Sequence, residues 1–129
     1  MSVIVTDTGF AADDWTGDWE GAHALDLPSD TDPAALEIGP GVEMIRVDFP
    51  SFSDGRGFTL ARLLRRRGYT GRLRARGHVI ADQYAMARRS GFDEVEISDE
   101  LAQRQPEDQW LFRANWTEHD YQARLRGQA

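Results

Sequence analysis

Two glycines set the frame of this chain. Gly68, in Arg66-Arg67-Gly68-Tyr69, and Gly91, in Arg89-Ser90-Gly91-Phe92, stand 23 residues apart, and an aromatic residue follows each. A helical rhythm leads into each glycine. Phe58, Ala61 and Leu64 recur at i, i+3 and i+6 with Leu60 and Leu63 beside them, and Ile80, Tyr84 and Ala87 share a stripe flanked by Val79, Gln83 and Met86. Glycine at the end of such a segment reads as the left-handed residue that stops a helix, where a side chain would be strained. Around the two helices lie three runs that suit strands: Glu43 to Phe49, Tyr69 to Ala75 with Gly77 closing it, and Phe92 to Ile97. Strand and helix in alternation predict an α/β fold with parallel pairing and right-handed crossovers. The expected architecture is a small single domain over residues 1–129 with its core at 43–117. Its centre is a short β-α-β-α-β unit, either an open sheet or a partial barrel.

The flanks are harder to read. Ser2 to Thr6 is a β-branched run that suits a strand and leads into an acidic N-terminal extension, in which Trp15 and Trp19, four apart, can share a face. Pro28, Pro33 and Pro40 mark turns. Beyond the core, Ser98 is placed to cap one C-terminal helix and Pro106 to begin another. The polar tail from Glu118 is expected to fray or to pack on a neighbour. Open sheet edges favour a homodimer that covers them.

At 129 residues the chain is of one-domain size, with no apolar run of the roughly 20 residues a bilayer crossing needs. The sequence starts without the basic, apolar pattern of a signal peptide, so a cytoplasmic location is expected and no membrane partner. It contains no cysteine, which removes disulfides, thiolate ligation and thiol redox chemistry. Nor does it contain lysine, so Schiff-base chemistry and a P-loop lysine are excluded. The net charge of −7 hides a segregation: twelve acids against one arginine before residue 56, ten arginines against one acid from 56 to 89, and nine acids against four arginines after that. Either the basic middle pairs with the acidic flanks, or some arginines bind an anion. A pI near 4.9 argues against nucleic acid.

In an α/β sheet ligands gather beyond the carboxyl ends of the strands. That rule selects Asp54, Arg56, Arg76, His78, Asp82 and Gln83 as a candidate anion site, with Ser53 or Asp54 available as the cap of the helix that follows. Arg56, between Gly55 and Gly57, is either an anion ligand or the partner of a nearby carboxylate, Asp48 or Asp82. His78 and Asp82 stand one helical turn apart, a spacing that can orient an imidazole for acid–base work. GRGFTL fails the dinucleotide fingerprint at its last position, no cofactor motif is recognisable, and the three histidines lack metal-ligand spacing. Arg62, Arg65 and Arg66 fall on the outer side of the first helix and form a candidate partner-binding row.

The blocks FPSFSDGRG, LRARG, ADQ and RSGFD, spread over about fifty residues, resemble the core of a bacterial family known as domain of unknown function 934. The resemblance implies a role beside assimilatory sulfite reductase in sulfur assimilation, as an oxidoreductase or as an accessory factor that binds a small oxyanion. The alternative it leaves is a non-catalytic adaptor docking on the reductase or its electron donor through the arginine-rich helix. It supplies no catalytic residues. Members of that family often carry cysteine where Ser90 stands and aspartate where His78 stands, a departure that moves weight from His78 to Asp54, Arg56, Arg76, Asp82 and Gln83.

Overall fold

The computed structural model describes residues 2–15, 17, 19 and 23–116. Its strands are β1 (Ser2–Thr6), β2 (Gly9–Ala11), β3 (Ala24–Leu27), β4 (Met44–Phe49), β5 (Arg72–Gly77) and β6 (Glu94–Ser98). The helices are α1 (Arg56–Arg66), α2 (Tyr84–Ser90), α3 (Asp99–Arg104) and α4 (Glu107–Leu111). The strands form one open six-stranded sheet in the order β2-β1-β6-β5-β4-β3. From β3 to β6 all neighbours are parallel, while β1 runs antiparallel to both β6 and β2. Of the two architectures expected, this is the open sheet. It extends past the expected core at both edges, because β1 adds beside β6 and the four-residue β3 beside β4.

Strand periodicity divides the sheet into two unlike faces. Ile45, Val47 and Phe49 of β4, Leu73 and Ala75 of β5, Val95 and Ile97 of β6 and Val5 of β1 enter one buried cluster with Phe58, Ala61 and Leu64 of α1 and Tyr84 and Ala87 of α2. Both crossover helices therefore cover the same face. Each of these large apolar side chains contributes about 1.5–3 kcal/mol by leaving water, which makes this face the main source of stability. The opposite face carries the alternate residues Arg46, Arg72, Arg74, Arg76, Glu94 and Glu96.

The two glycines do what the sequence predicts, by one mechanism used twice. After α1 the N–H of Gly68 donates to the carbonyl of Arg65 and that of Tyr69 to Leu64; after α2 Gly91 donates to Arg88 and Phe92 to Ala87. Both glycines are left-handed, with φ of 97° and 119°. This double hydrogen bond is the Schellman stop, and in each copy the following aromatic turns into the core. Arg65 joins the copies: Nε and Nη2 donate to the carbonyl of Gly91, and Nη1 donates to those of Tyr69 and Gly71.

Local details differ from expectation. The second parallel strand begins at Arg72 rather than Tyr69, because Tyr69 belongs to the helix stop and its hydroxyl donates to the carbonyl of Arg72. At the start of α1 the cap position is Gly55, with no side-chain cap; Asp54 acts one residue earlier, its Oδ1 accepting from the N–H of Arg56 at 3.0 Å. Trp15 and Trp19 do meet, with ring centroids 5.9 Å apart, but Trp19 lies over the Arg46 guanidinium at 3.8 Å, so it covers the charged face. Ser98 caps α3, accepting from Leu101, and Pro106 precedes α4 as expected. The tail from Glu118 lies outside the described residues.

Candidate functional site

The carboxyl ends of β4, β5 and β6 open at one rim of the sheet. Two adjoining cavities lie there, both lined by Gly77, His78 and Ser98: one of about 350 Å³ that adds Phe52, Glu100, Leu101 and Arg104, and one of about 510 Å³ that adds Ser2, Asp48, Arg76 and Glu96. Gly77 makes this rim possible. It is left-handed at φ 110°, and a Cβ there would stand 2.8 Å from the carbonyl oxygen of Phe49. No other residue lets β5 turn so close to β4.

The six candidate residues of the anion site do not converge on one point. Arg76 and His78 line the rim cavities, with His78 Nδ1 3.3 Å from the Phe49 carbonyl and its ring edge-on to Phe52. A carbonyl only accepts, so Nδ1 is the donor in that contact. Gln83 pins the loop beside it, accepting from the N–H of Ile80 and donating to the carbonyl of Phe52. Asp82 faces away and pairs with Arg113 at 2.9 Å, so it does not orient His78. Arg56 lines a different cavity, with Ser29, Asp30 and Thr31. Its partner is neither Asp48 nor Asp82 but Asp54, gripped by Nε at 3.0 Å and Nη2 at 2.7 Å while Ser29 donates to the same carboxylate. Hydrogen bonds from Arg56, above all from its side chain, hold the Asp54 carboxyl well below the usual carboxylate range.

The basic middle does pair with the acidic flanks, one of the two readings the charge pattern offered; what sequence reasoning missed is that this pairing builds one charged face of the sheet. Arg74 is fully buried, and its guanidinium donates to Glu94 at 2.6 Å, Glu96 at 2.9 Å and Asp13 at 3.1 Å. Arg72 binds both oxygens of Glu94 and also Asp14; Arg46 binds Asp26 and Glu96. Register explains the pattern, because Arg74 is paired with Glu94 and Arg76 with Glu96 across β5 and β6. Asp13 and Asp14 come from the N-terminal segment. Burial pushes the Asp13 carboxyl up, but hydrogen bonds from Arg74 and Trp15 outweigh it and lower the net value, and a hydrogen bond from Arg72 lowers Asp14. The signal lay in the sequence as arginines at 72, 74 and 76 and glutamates at 94 and 96, each set alternating with apolar residues.

The arginine row on α1 divides. Arg65 is only a quarter exposed, spends its donors on the helix stops and pairs with Asp93 at 3.0 Å, so it is a structural residue. Arg62 and Arg66 are exposed on the outer side of α1, and neither has a carboxylate partner among the described residues. No helix of the described residues is long and apolar enough to cross a membrane, and among them no group of three or more His, Cys, Asp or Glu residues is arranged to hold a metal ion.

Residues 24–129 match the model of a family described as a bacterial protein of unknown function (DUF934). The chain belongs to this family. The match begins at the first residue of β3, so it spans the four parallel strands and their helices, while β1, β2 and the segment carrying Asp13 and Asp14 precede it. Comparison with curated proteins and with solved structures gives no match.

Proposed function

We propose that this DUF934 protein is an accessory factor of assimilatory sulfite reduction that acts by docking. The outer side of α1, with Arg62 and Arg66, binds an acidic surface of the sulfite reductase or of the protein that supplies its electrons. The pathway rests on the resemblance carried by FPSFSDGRG, LRARG, ADQ and RSGFD. The mode of action rests on one observation: the arginines of β4 and β5 and Arg56 all face carboxylates of this same chain, whereas Arg62 and Arg66 have none among the described residues. In a protein of net charge −7 an uncompensated basic patch is the feature that steers an acidic partner. Without cysteine no side chain here carries electrons alone, so an oxidoreductase role would need a borrowed carrier, and docking places the chain next to one.

The pathway is tested by growth. A strain lacking the gene should fail on sulfate as sole sulfur source, grow on sulfide, and recover on sulfate when the intact gene is returned. Equal growth on sulfate and sulfide would overturn the assignment.

A further inference from the structure

Arg76 differs from the other arginines of the charged face. Arg46, Arg72 and Arg74 each reach a carboxylate at 3.1 Å or less. Arg76 stands 3.5 Å from Glu96 and 3.8 Å from Asp48 and makes no hydrogen bond to either. Its side chain is nearly half exposed, at 46%, and lines the 510 Å³ rim cavity. A guanidinium has five N–H donors in a planar fork that fits a carboxylate, and here the fork is available.

The neighbours decide what it takes. Glu96 is already shared with Arg46 and Arg74, so its charge is compensated inside the sheet. Asp48 is 41% exposed and faces Arg76 as its only cation among the described residues. A bare oxyanion on Arg76 would set a second negative charge beside Asp48, and like charges at such a distance oppose each other. A ligand that carries its own cation removes this conflict. We infer that the rim cavity binds a small zwitterion of the α-amino-acid class, with its carboxylate on Arg76 and its ammonium on Asp48. The volume exceeds what the two charged groups fill, which leaves room for a side chain directed toward His78 and Ser98. The site lies at the strand ends and does not depend on the α1 face.

Amide shifts of the full ¹⁵N-labelled chain, titrated with glycine and L-serine as probes and with acetate, methylammonium and sulfate as controls, test it. Glycine and L-serine should shift Gly77, His78 and Ser98 saturably. The three controls should bind at least about tenfold more weakly, the least expected when one charged contact is missing. Arg76→Gln should abolish the shifts. Because that change also touches the sheet, Asp48→Asn at the exposed end is the second variant, and it should weaken L-serine about tenfold while leaving the remaining spectrum unchanged. The inference fails if neither amino acid gives saturable shifts, if sulfate binds as tightly as L-serine, or if Asp48→Asn binds L-serine like the wild type.

Discussion

Replacing Arg74 by methionine is the most informative perturbation of the fold. The guanidinium is fully buried and donates to three carboxylates within 3.1 Å, so its removal leaves negative charge in a place water does not reach. Breaking a buried ion pair from one side costs about 3–5 kcal/mol. The lower end applies, because Glu94 keeps Arg72 and Glu96 keeps Arg46, so neither glutamate is stranded. We expect Arg74→Met to lose about 3 kcal/mol. With a urea slope of about 2 kcal/mol per molar for a domain of this size, the midpoint should fall by about 1.5 M. Adding Glu94→Gln should recover at least about 1 kcal/mol by removing the excess charge. The assay is urea unfolding at pH 7 followed by circular dichroism, with tryptophan fluorescence as a second probe. A loss below about 1 kcal/mol, or no recovery in the double variant, would refute the view that this face is held by compensated charge.

Two further outcomes follow from the same geometry. Gly91→Ala should destabilise by about 2 kcal/mol, since it strains a left-handed position and its Cβ would meet Arg65 Cγ at 2.6 Å, whereas Gly39→Ala, with open space around it, should be within about 0.5 kcal/mol of wild type in the same unfolding assay. The folded-state pKa values of Asp7, Asp13 and Asp14 are all depressed, so their stabilisation is present above the unfolded value of about 3.9 and is lost as pH falls through the folded values. The urea midpoint should therefore hold from about pH 5 to 8 and fall below about pH 4; a midpoint insensitive to acid would contradict the pairing.

The parallel core was legible because its signals are local. A glycine followed by an aromatic reports a helix stop whatever lies elsewhere. The rest depends on register. That Arg74 meets Glu94 follows only once β5 is laid beside β6, and that Asp7 accepts from Tyr84 and Arg88 requires β1 to return to the far side of the same sheet. β3 escaped notice because ALDL is short, carries a charge and runs into Pro28. For the candidate site, the rule of strand ends located the rim and the cavity at Arg76 and His78. It did not separate Arg56, whose carboxylate partner lies in its own turn, and helical spacing alone did not separate Arg65 from Arg62 and Arg66, since its acceptors are carbonyls of the two helix stops.

The docking proposal is tested most directly by co-purification of sulfite reductase, or of its electron-supplying protein, with the intact chain and with the Arg62→Glu, Arg66→Glu double variant. A complex should form at low salt and be released toward 1 M salt, where the Debye length is about 3 Å, and the double variant should fail to form it despite an unchanged circular dichroism spectrum. A complex that survives the charge reversal, or no such partner retained by the intact chain at low salt, would contradict it.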